Sequence, residues 1–340
     1  MTRETNGRIS VIIPFYNASA YLGGCLEALQ RSEDRDYELI LVDDGSTDTS
    51  AREARRFTGQ VLSFPSPRGP AFARNRGAEA AGGDILFFID ADILCFPDTL
   101  SRVRRAFAGD PGLSAVIGSY DDDPPAHDFF SRYKNLTHHY VHQHAAAAAS
   151  TFWTGCGAVR RAVFLEMGGF DESFRKPSIE DIELGYRMRA RGHRIALCKE
   201  LVVKHAKRWT LAGMLSSDIF DRAIPWTVLQ LSYGGILNDL NVSRTQRASL
   251  IFLWLAILSG LLGFWNPWFL AALPACLLPV LLWNRGLYGF YLERGGPWFC
   301  VRSLAMHWVY YLYGALAFGA GCLQYWAGRR FAREAGRTRG

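Results

Sequence analysis

The sequence predicts an α/β protein in which a doubly wound, mostly parallel sheet is followed by an α-helical membrane domain. Short apolar runs rich in β-branched residues alternate with stretches of helical periodicity in the first part of the chain, as they do in parallel sheets covered by helices. Polar turns follow three of the predicted strands. From Ala248 onward, long apolar runs are interrupted mainly by Gly, Pro and Trp, a pattern typical of membrane segments.

The elements of the first part are predicted from periodicity and from start and stop signals. Predicted strands are short apolar runs, and they lie at 9–14, 37–42, 61–64, 84–89 and 193–203. Predicted helices carry apolar residues at helical spacing, and they lie at 21–31, 49–57, 70–81, 160–167 and 180–191. Pro70 begins one of these helices and Gly192 ends another, as is common for these residue types. The stretch 121–150 is less regular, and no element is predicted there.

Length, charge and cysteine content narrow the class of protein. A chain of 340 residues suggests about two units. The net charge is +6, but the basic residues are spread out and several flank apolar segments, which favours a membrane surface over nucleic acid. The seven cysteines form no CxxC pair and no zinc spacing, as expected for free thiols in a reducing compartment. Residues 1–8 show no signal peptide, so we expect a cytoplasmic first domain.

The predicted organisation has four parts. They are a first domain at 1–210, amphipathic interfacial helices at 211–247, a membrane domain at 248–328 and a basic tail at 329–340. About three spans are expected in the membrane domain, at 248–265, 268–283 and 304–326. Three crossings would place the Arg-rich tail opposite the first domain, which the positive-inside rule disfavours. Either the tail is an exception, or one segment is re-entrant, or 285–297 contains a further embedded piece.

The motif Asp90-Ala91-Asp92 directly follows a predicted buried strand. Two carboxylates at i and i+2 of a strand end can converge on one hard cation, and Mg²⁺ or Mn²⁺ bound there would bridge the phosphate oxygens of a nucleotide. Such a cation acts as a Lewis acid on a departing nucleoside diphosphate. A bare motif of this kind is common, and its position after an apolar strand is what favours a metal site.

Five motifs, in order and spacing, resemble glycosyltransferase family 2, whose members are inverting enzymes of the Rossmann-like GT-A fold. The motifs are 10–17 (SVIIPFYN), 42–48 (VDDGSTD), 73–77 (ARNRG), 90–92 (DAD) and 180–181 (ED). The resemblance covers about residues 8 to 210 and is specific, because five ordered motifs agree at once. It implies a GT-A catalytic domain, a nucleotide-sugar donor and a divalent metal ion.

The resemblance also implies which residues bind the donor. Those implied for the base and ribose are Pro14, Tyr16, Asn17 and Asp43, with Asp44 and Ser46 supporting the turn. Those implied near the phosphates or the sugar are Arg74, Asn75, Asp90 and Ala91. An aromatic ring can stack on a base, and an Asp can accept from a pyrimidine N–H. The alternatives are a turn with an N-cap at Thr47 or Asp48 and a solvated helix face at 74–75.

By the same resemblance, Asp181 is the general base that deprotonates the acceptor hydroxyl, with Glu180 beside it in the motif. An inverting transfer is a single displacement and needs one base opposite the leaving group. The alternative is a charged first helical turn that the helix dipole stabilises. Because the other motifs are present, catalysis is favoured.

The segment 205–209 (HAKRW) occupies the place of the QxxRW motif of processive family members, with His in place of Gln. The resemblance implies that Arg208 and Trp209 contact the diphosphate and the acceptor sugar. His205, as a neutral imidazole, would complete the metal site of Asp90 and Asp92. The alternative is a basic juxtamembrane segment. The missing Gln argues against polymer synthesis.

Three further patterns carry less information. The segments 154–157 (TGCG) and 168–171 (GGFD) resemble the family's acceptor-side loops, although ordinary turns would look the same. His138 and His142 stand at i and i+4, a spacing that zinc could use, but no companion ligand is identifiable. We therefore expect no zinc site there.

The expected function is transfer of a sugar from a UDP- or GDP-sugar to a lipid or lipid-linked acceptor. The expected location is the inner (plasma) membrane, in a multi-pass protein whose catalytic domain is cytoplasmic. Expected partners are the nucleotide sugar, the acceptor and the bilayer, with no nucleic acid, and a polyprenyl phosphate acceptor is the preferred subtype. One alternative is a processive polysaccharide synthase, which would need an intact QxxRW and a channel. Another is a non-catalytic sugar-nucleotide sensor, which would not need the carboxylates Asp90, Asp92 and Asp181.

Overall fold

The computed structural model describes residues 7–57, 60–234 and 243–337, with side chains described as far as residue 328. The predicted interfacial residues 235–242 and the side chains of the basic tail lie outside this range. The chain divides into two compact units, with the boundary between Trp209 and Thr210.

The first unit is built on one eight-stranded sheet. Its strands are β1 (Ile9–Phe15), β2 (Tyr37–Asp43), β3 (Val61–Ser63), β4 (Ile85–Phe88), β5 (Ile93–Cys95), β6 (Ala115–Tyr120), β7 (Gly157–Arg160) and β8 (Ile195–His205). They lie in the order β3-β2-β1-β4-β7-β6-β8-β5.

The sheet contains both parallel and antiparallel pairs. Strands β3, β2, β1 and β4 are parallel to one another, as predicted, and β6 is parallel to β8. Two strands run in the opposite direction, because β7 is antiparallel to both β4 and β6, and β5 is antiparallel to β8. Only a few residues separate β4 from β5, too few for the crossover that parallel neighbours require, so β5 pairs at the far edge instead. The result is a mixed, Rossmann-like sheet.

Helices cover both faces of the sheet. They are α1 (Leu22–Gln30), α2 (Ser50–Ala54), α3 (Pro70–Ala80), α4 (Thr99–Gly109), α5 (Phe129–His144), α6 (Arg161–Glu166) and α7 (Glu180–Ala190). Side chains of β1 alternate between the two faces: Val11 and Ile13 lie in one buried cluster and Ile12 in the other. This double burial explains the uninterrupted apolar sequence of β1.

Helix α5 fills most of the stretch that the sequence left without an element. Its N-cap is Asp128, whose carboxylate accepts a hydrogen bond from the backbone N–H of Ser131 at 3.0 Å. Its buried face includes the polar residues Asn135 and His142. A helix whose buried face is partly polar has no apolar period to detect, which is why the sequence did not predict it.

The second unit is helical. Its elements are α8 (Leu211–Ser216), a π-helical turn (Ser217–Ala223), α9 (Ile224–Ser232), α10 (Arg244–Gly263), a 3₁₀ turn (Pro267–Ala272), α11 (Leu273–Trp283) and α12 (Arg285–Arg337). Helix α12 is broken at Gly296, where φ is 77°. A positive φ favours Gly, and the following Pro297 cannot continue the preceding helix, so the break has a local cause.

Among the described residues, fewer helices are long and apolar enough to span a membrane than the sequence predicted. Among the described residues, α10 is the one helix long and apolar enough to cross a bilayer unaided. The segments Pro267–Trp283 and Arg285–Gly328, bent by 65°, meet the same criterion only as a pair. The expected three spans are therefore not supported, because Tyr, His and Gly lower the hydropathy of 304–326. Such helices are weak evidence for a membrane protein, and multi-pass insertion does not follow from them.

Candidate active site

The turn after β1 and the turn after β2 are tied together. Phe15 pairs with Asp43, so both strands end at the same level of the sheet. The Asn17 side-chain oxygen accepts from the Thr47 backbone N–H at 2.9 Å, and the Asn17 N–H donates to the Ser46 hydroxyl at 3.0 Å. Asn17 has a φ of 49°, which Asn tolerates better than most residues. These contacts place two of the expected donor-binding residues in one rigid double turn.

The remaining expected base and ribose residues differ in accessibility. Tyr16 is 49% exposed, so its ring is available for stacking. Pro14 is buried within β1. Asp43 is buried too, and one of its oxygens accepts from the Ser46 N–H at 2.8 Å. Asp44 holds the next loop, because its carboxylate accepts from the Arg68 and Gly69 N–H groups at 2.9 and 2.8 Å.

Arg74 connects two of the sequence motifs. One guanidinium nitrogen donates to Asp90 Oδ1 and another to Glu180 Oε1, each at 2.7 Å. Arg74 is only 4% exposed. Burial alone would lower the pKa of Arg74, but the carboxylates of Asp90, Glu180 and Asp181 raise it, so the guanidinium stays charged. The structure thus places Arg74 between protein carboxylates of the metal-binding and base motifs.

Asn75 contacts protein backbone. Its side-chain amide accepts from the Phe170 N–H and donates to the Phe170 carbonyl, both at 2.9 Å. Its NH₂ also donates to Glu172 at 3.1 Å. Gly168 and Gly169, directly before Phe170, have φ values of 76° and 73°. The structure therefore assigns Asn75 to holding the 168–171 loop in shape.

Of the three proposed metal ligands, Asp92 and His205 lie close together, whereas Asp90 has a different partner. Residue Ile93 of β5 pairs with His205 of β8, and this register brings His205 Nε2 to 3.6 Å from Asp92 Oδ2. Burial raises the pKa of Asp92, but the His205 hydrogen bond and the charges of His205 and Lys207 outweigh it, so the pKa is lowered. Asp90 instead accepts a hydrogen bond from Arg74. Ala91, which separates Asp90 from Asp92 in the sequence, is buried.

Within the described parts of the chain, no three side chains of metal-binding type converge on one point. Two protein ligands are nevertheless sufficient for Mg²⁺ or Mn²⁺ at a nucleotide site, because such ions commonly keep water and phosphate oxygens in their remaining positions. An acidic oxygen and an imidazole nitrogen, as offered by Asp92 and His205, suit Mn²⁺ in particular. The donor set therefore fits the expected metal.

The expected base lies at the start of α7. Asp181 Oδ2 accepts from the Thr154 N–H at 3.0 Å and from the Thr154 hydroxyl at 3.1 Å. Glu180 is buried, with one oxygen on Arg74 and the other accepting from the Ser178 N–H at 2.9 Å. These contacts hold both carboxylates in fixed orientations. The sequence predicted the base but not the role of Thr154, for which the only signal was its place in the TGCG segment.

The segment that resembles QxxRW ends the first unit. Trp209 is largely buried, and its backbone N–H donates to the Ser131 hydroxyl at 2.8 Å. The ammonium groups of Lys207 and Lys134 lie 4.4 and 5.7 Å from the centre of its ring. Arg208 is exposed. Arg208 is thus accessible to an anionic ligand, although its charge already acts on the nearby carboxylate of Asp128, while the Trp209 ring lies close to two ammonium groups.

Together these features define an α/β enzyme whose ligand site lies at the carboxyl ends of the strands. The sequence model of the family described as Glycosyl transferase family 2 matches residues 10–168. The validoxylamine A glucosyltransferase of Streptomyces hygroscopicus subsp. jinggangensis is 30% identical over 286 residues, covering 70% of this chain and 67% of that protein. The chain belongs to glycosyltransferase family 2, and it is a glycosyltransferase.

Two further similarities are consistent with this. The O-antigen chain rhamnosyltransferase RfbN of Salmonella typhimurium is 26% identical over 244 residues, covering 67% of this chain and 76% of that protein. Among solved structures, the mannosyltransferase PcManGT of Pyrobaculum calidifontis, in complex with GDP-Man and Mn²⁺, has a TM-score of 0.52 at 21% identity. The match covers 91% of this chain and 86% of that one. At this identity the likeness concerns the fold, which is that of a GT-A domain with a helical region after it.

Proposed function

We propose that this glycosyltransferase moves a sugar from a UDP- or GDP-sugar to a lipid or lipid-linked acceptor, by a single inverting displacement assisted by Mg²⁺ or Mn²⁺. The observation that carries the proposal is the double ion pair of Arg74, which joins Asp90 to Glu180, the residue before Asp181. One buried side chain thereby assembles the metal-binding motif and the base motif into a single site.

Asp181 would act as the general base. In a single displacement, the acceptor oxygen attacks the anomeric carbon of the donor while its proton passes to the base and the nucleoside diphosphate departs. Asp181 Oδ2 is held by two donors on Thr154, which would fix the orientation of the carboxylate for this proton transfer. Glu180 would position this carboxylate through its contact with Arg74, without itself transferring a proton.

Asp92 and His205 would hold the metal ion, with Asp90 next to them on the donor side. A bound divalent cation supplies charge neutralisation for the departing diphosphate. The exposed guanidinium of Arg208 would add a second positive charge there. The alternative of a basic juxtamembrane segment is less favoured, because His205 is buried against Asp92.

The double turn after β1 and β2 would hold the nucleoside. Tyr16 offers an exposed ring for stacking on the base. Asp43, Asn17 and Ser46 offer polar groups from one rigid unit. Pro14 and Asp44 would support this pocket from behind, because Pro14 is buried and Asp44 is bonded to the backbone of the next loop. Asn75 would act at a distance from it, by shaping the 168–171 loop.

The proposal predicts metal-dependent turnover of one nucleotide sugar. Purified protein would be incubated with a panel of UDP- and GDP-sugars, with and without EDTA, in the presence of bacterial membrane lipid extract. We expect one donor to be consumed, consumption to stop with EDTA and to return with Mn²⁺ or Mg²⁺, and mass spectrometry to find a lipid carrying one added sugar. A ladder of products would instead indicate a processive synthase, and no turnover of any donor would contradict the proposal.

Attachment to the bilayer would come from the hairpin formed by α10, the 3₁₀ turn and α11. Asn284 donates to the Ser249 hydroxyl at 3.1 Å near the open end of this hairpin, and the Ser259 hydroxyl donates to the Phe269 carbonyl at 2.5 Å near its tip. No charged residue lies between Arg247 and Arg285. The hairpin therefore has a cationic open end and an uncharged length of about 25–30 Å, close to the thickness of a bilayer core.

The tip of the hairpin exposes large aromatic side chains. Phe264, Trp265 and Trp268 are 93%, 91% and 84% exposed. Trp is enriched where membrane meets water, and an apolar surface of this kind is unfavourable in water. The assignment of 211–247 to the membrane interface and of 329–340 to a basic tail stays a prediction.

The double variant Trp265→Asp/Trp268→Asp is expected to lower the fraction of protein that floats with phosphatidylethanolamine–phosphatidylglycerol vesicles by at least about tenfold. The variant replaces two indoles that would anchor the tip in the bilayer interface by carboxylates, which the anionic phosphatidylglycerol headgroups repel. The control is Leu165→Asp, which changes an exposed apolar residue of the first unit and should float like the wild type. Equal flotation of the double variant and the wild type would show that the tip is not inserted.

A further inference from the structure

Three half-buried rings lie in mutual contact between β6, α5 and the TGCG segment. They belong to Tyr120, His138 and Trp153, and we refer to them as the aromatic row. The Tyr120 ring lies 4.3 Å from that of His138 and 4.9 Å from that of Trp153, centre to centre. The rings of His138 and Trp153 are 4.7 Å apart. No sequence motif pointed to this group.

Each end of the aromatic row touches the proposed catalytic machinery. Tyr120 stacks on His205 with centres 4.3 Å apart and planes 4° from parallel, and His205 faces Asp92. At the other end, Trp153 precedes Thr154, which donates two hydrogen bonds to Asp181. The row therefore runs from the metal-binding pair to the residue that holds the base.

The row also lies at the edge of the sheet where ligands are expected. Tyr120 is the last residue of β6 and His205 the last of β8, and these two strands are parallel. Because β7 is antiparallel to both β4 and β6, β6 runs in the same direction as β4. Both strands therefore end on the side where β4 leads to Asp90, which is the ligand-binding edge of such sheets.

Two details fix the rings in place. A Cβ on Gly155 would lie 2.5 Å from the Trp153 indole, so only Gly at this position allows the indole to fold over its own chain. His139 and His142 contact the carbonyls of Tyr120 and Gly118 at 2.7 and 3.0 Å. The histidines of α5 thus attach this helix to β6 and orient the row.

We propose that the aromatic row binds the sugar ring at the receiving end of the acceptor, so that the acceptor is a sugar-terminated lipid and not a bare polyprenyl phosphate. This rests on the proposed function. The apolar C–H face of a sugar packs on aromatic rings. A receiving hydroxyl must meet Asp181, and Trp153 is the aromatic residue next to the group that holds Asp181.

The test compares Trp153→Leu and Trp153→Tyr with the wild type. Acceptors are octyl glucoside, octyl mannoside, octyl galactoside and undecaprenyl phosphate, and donor hydrolysis in water is measured separately. We expect at least one octyl glycoside to be an acceptor, Leu to raise its KM about tenfold, and Tyr to restore most of the affinity. Donor hydrolysis, which needs no acceptor, should be unchanged in Tyr140→Leu. Tyr140→Leu, on α5 but outside the row, is the control and should keep the wild-type KM.

Three results would overturn the inference. They are an unchanged KM in Trp153→Leu, equal effects of the Leu and Tyr variants, or preference of the wild type for undecaprenyl phosphate over every octyl glycoside. Donor consumption by the wild type with membrane lipid extract separates this inference from the proposed function, because the proposed function requires that turnover and this inference requires in addition that an octyl glycoside is an acceptor. Thermal unfolding of each variant checks folding, and if Trp153→Leu does not fold, Trp153→Met, which also lacks an aromatic ring, takes its place with the same expected rise in KM.

Discussion

Replacing Asp181 with Asn is expected to lower kcat for sugar transfer by about 10²–10⁴-fold, the usual contribution of a general base. Asn has nearly the same shape, and its carbonyl oxygen can still accept from Thr154, so the fold should be retained. It cannot take up a proton at neutral pH. The measurement is single-turnover transfer at saturating donor and acceptor, with thermal unfolding as the check on folding.

A carboxylate from the same helical turn provides the control for this variant. Glu183 lies one residue beyond Ile182 and pairs with Arg187 at 2.6 Å, with no contact to Thr154 in the described structure. Glu183→Gln should therefore keep kcat within a few-fold of the wild type. If Asp181→Asn turned over as fast as Glu183→Gln, Asp181 would not be the base, and the charged-turn alternative would be correct.

Replacing Arg74 with Leu is expected to lower the free energy of unfolding of the first unit by about 3–5 kcal/mol, because removing one partner leaves a buried charge unpaired. Glu180 is as buried as Arg74 and would lose its only cationic partner among the described contacts. Transfer activity should be lost as well, since Glu180 and Asp90 would repel each other. Denaturant unfolding, followed by circular dichroism, provides the measurement.

Two further variants test whether the loss of stability in Arg74→Leu comes from the buried charge that it leaves unpaired. Arg76, on the same helix, pairs with Glu79 and Glu172 but is partly exposed, so Arg76→Leu should cost about 1 kcal/mol or less. The double variant Arg74→Leu/Glu180→Gln removes the unpaired charge and should regain part of the stability. A single Arg74→Leu that unfolds like the wild type but has a raised donor KM would instead mean that Arg74 binds the donor phosphates.

Arg74 and Asn75 belong to one sequence motif but make different contacts in the structure. The resemblance placed both residues near the donor, because they belong to one short motif. In the structure, Arg74 lies between Asp90 and Glu180, and Asn75 holds the backbone of Phe170. Adjacent positions on a helix point in different directions, so a shared motif does not imply a shared contact.

The second half of the first unit was the least predictable part. Alternating strands and helices predicted the parallel strands β1 to β4, whose apolar runs are continuous. The direction of β7 and the pairing of β5 with β8 could not be predicted, because neither depends on local sequence. Helix α5 was missed since its buried face includes Asn135 and His142. The aromatic row could not be predicted either, because its residues come from β6, α5 and the TGCG segment, which lie far apart in the sequence.

By itself, the sequence determined the family, the order of the strands along the chain up to β4, and the position of Asp90 and Asp92 after a buried strand. These are local properties, carried by short motifs and by the period of apolar residues. Only the tertiary structure decided that His205 meets Asp92, that Arg74 joins Asp90 to Glu180, and that Thr154 bonds Asp181. The physical reason is that these contacts depend on strand pairing and helix packing between segments far apart in the chain, which local periodicity does not encode.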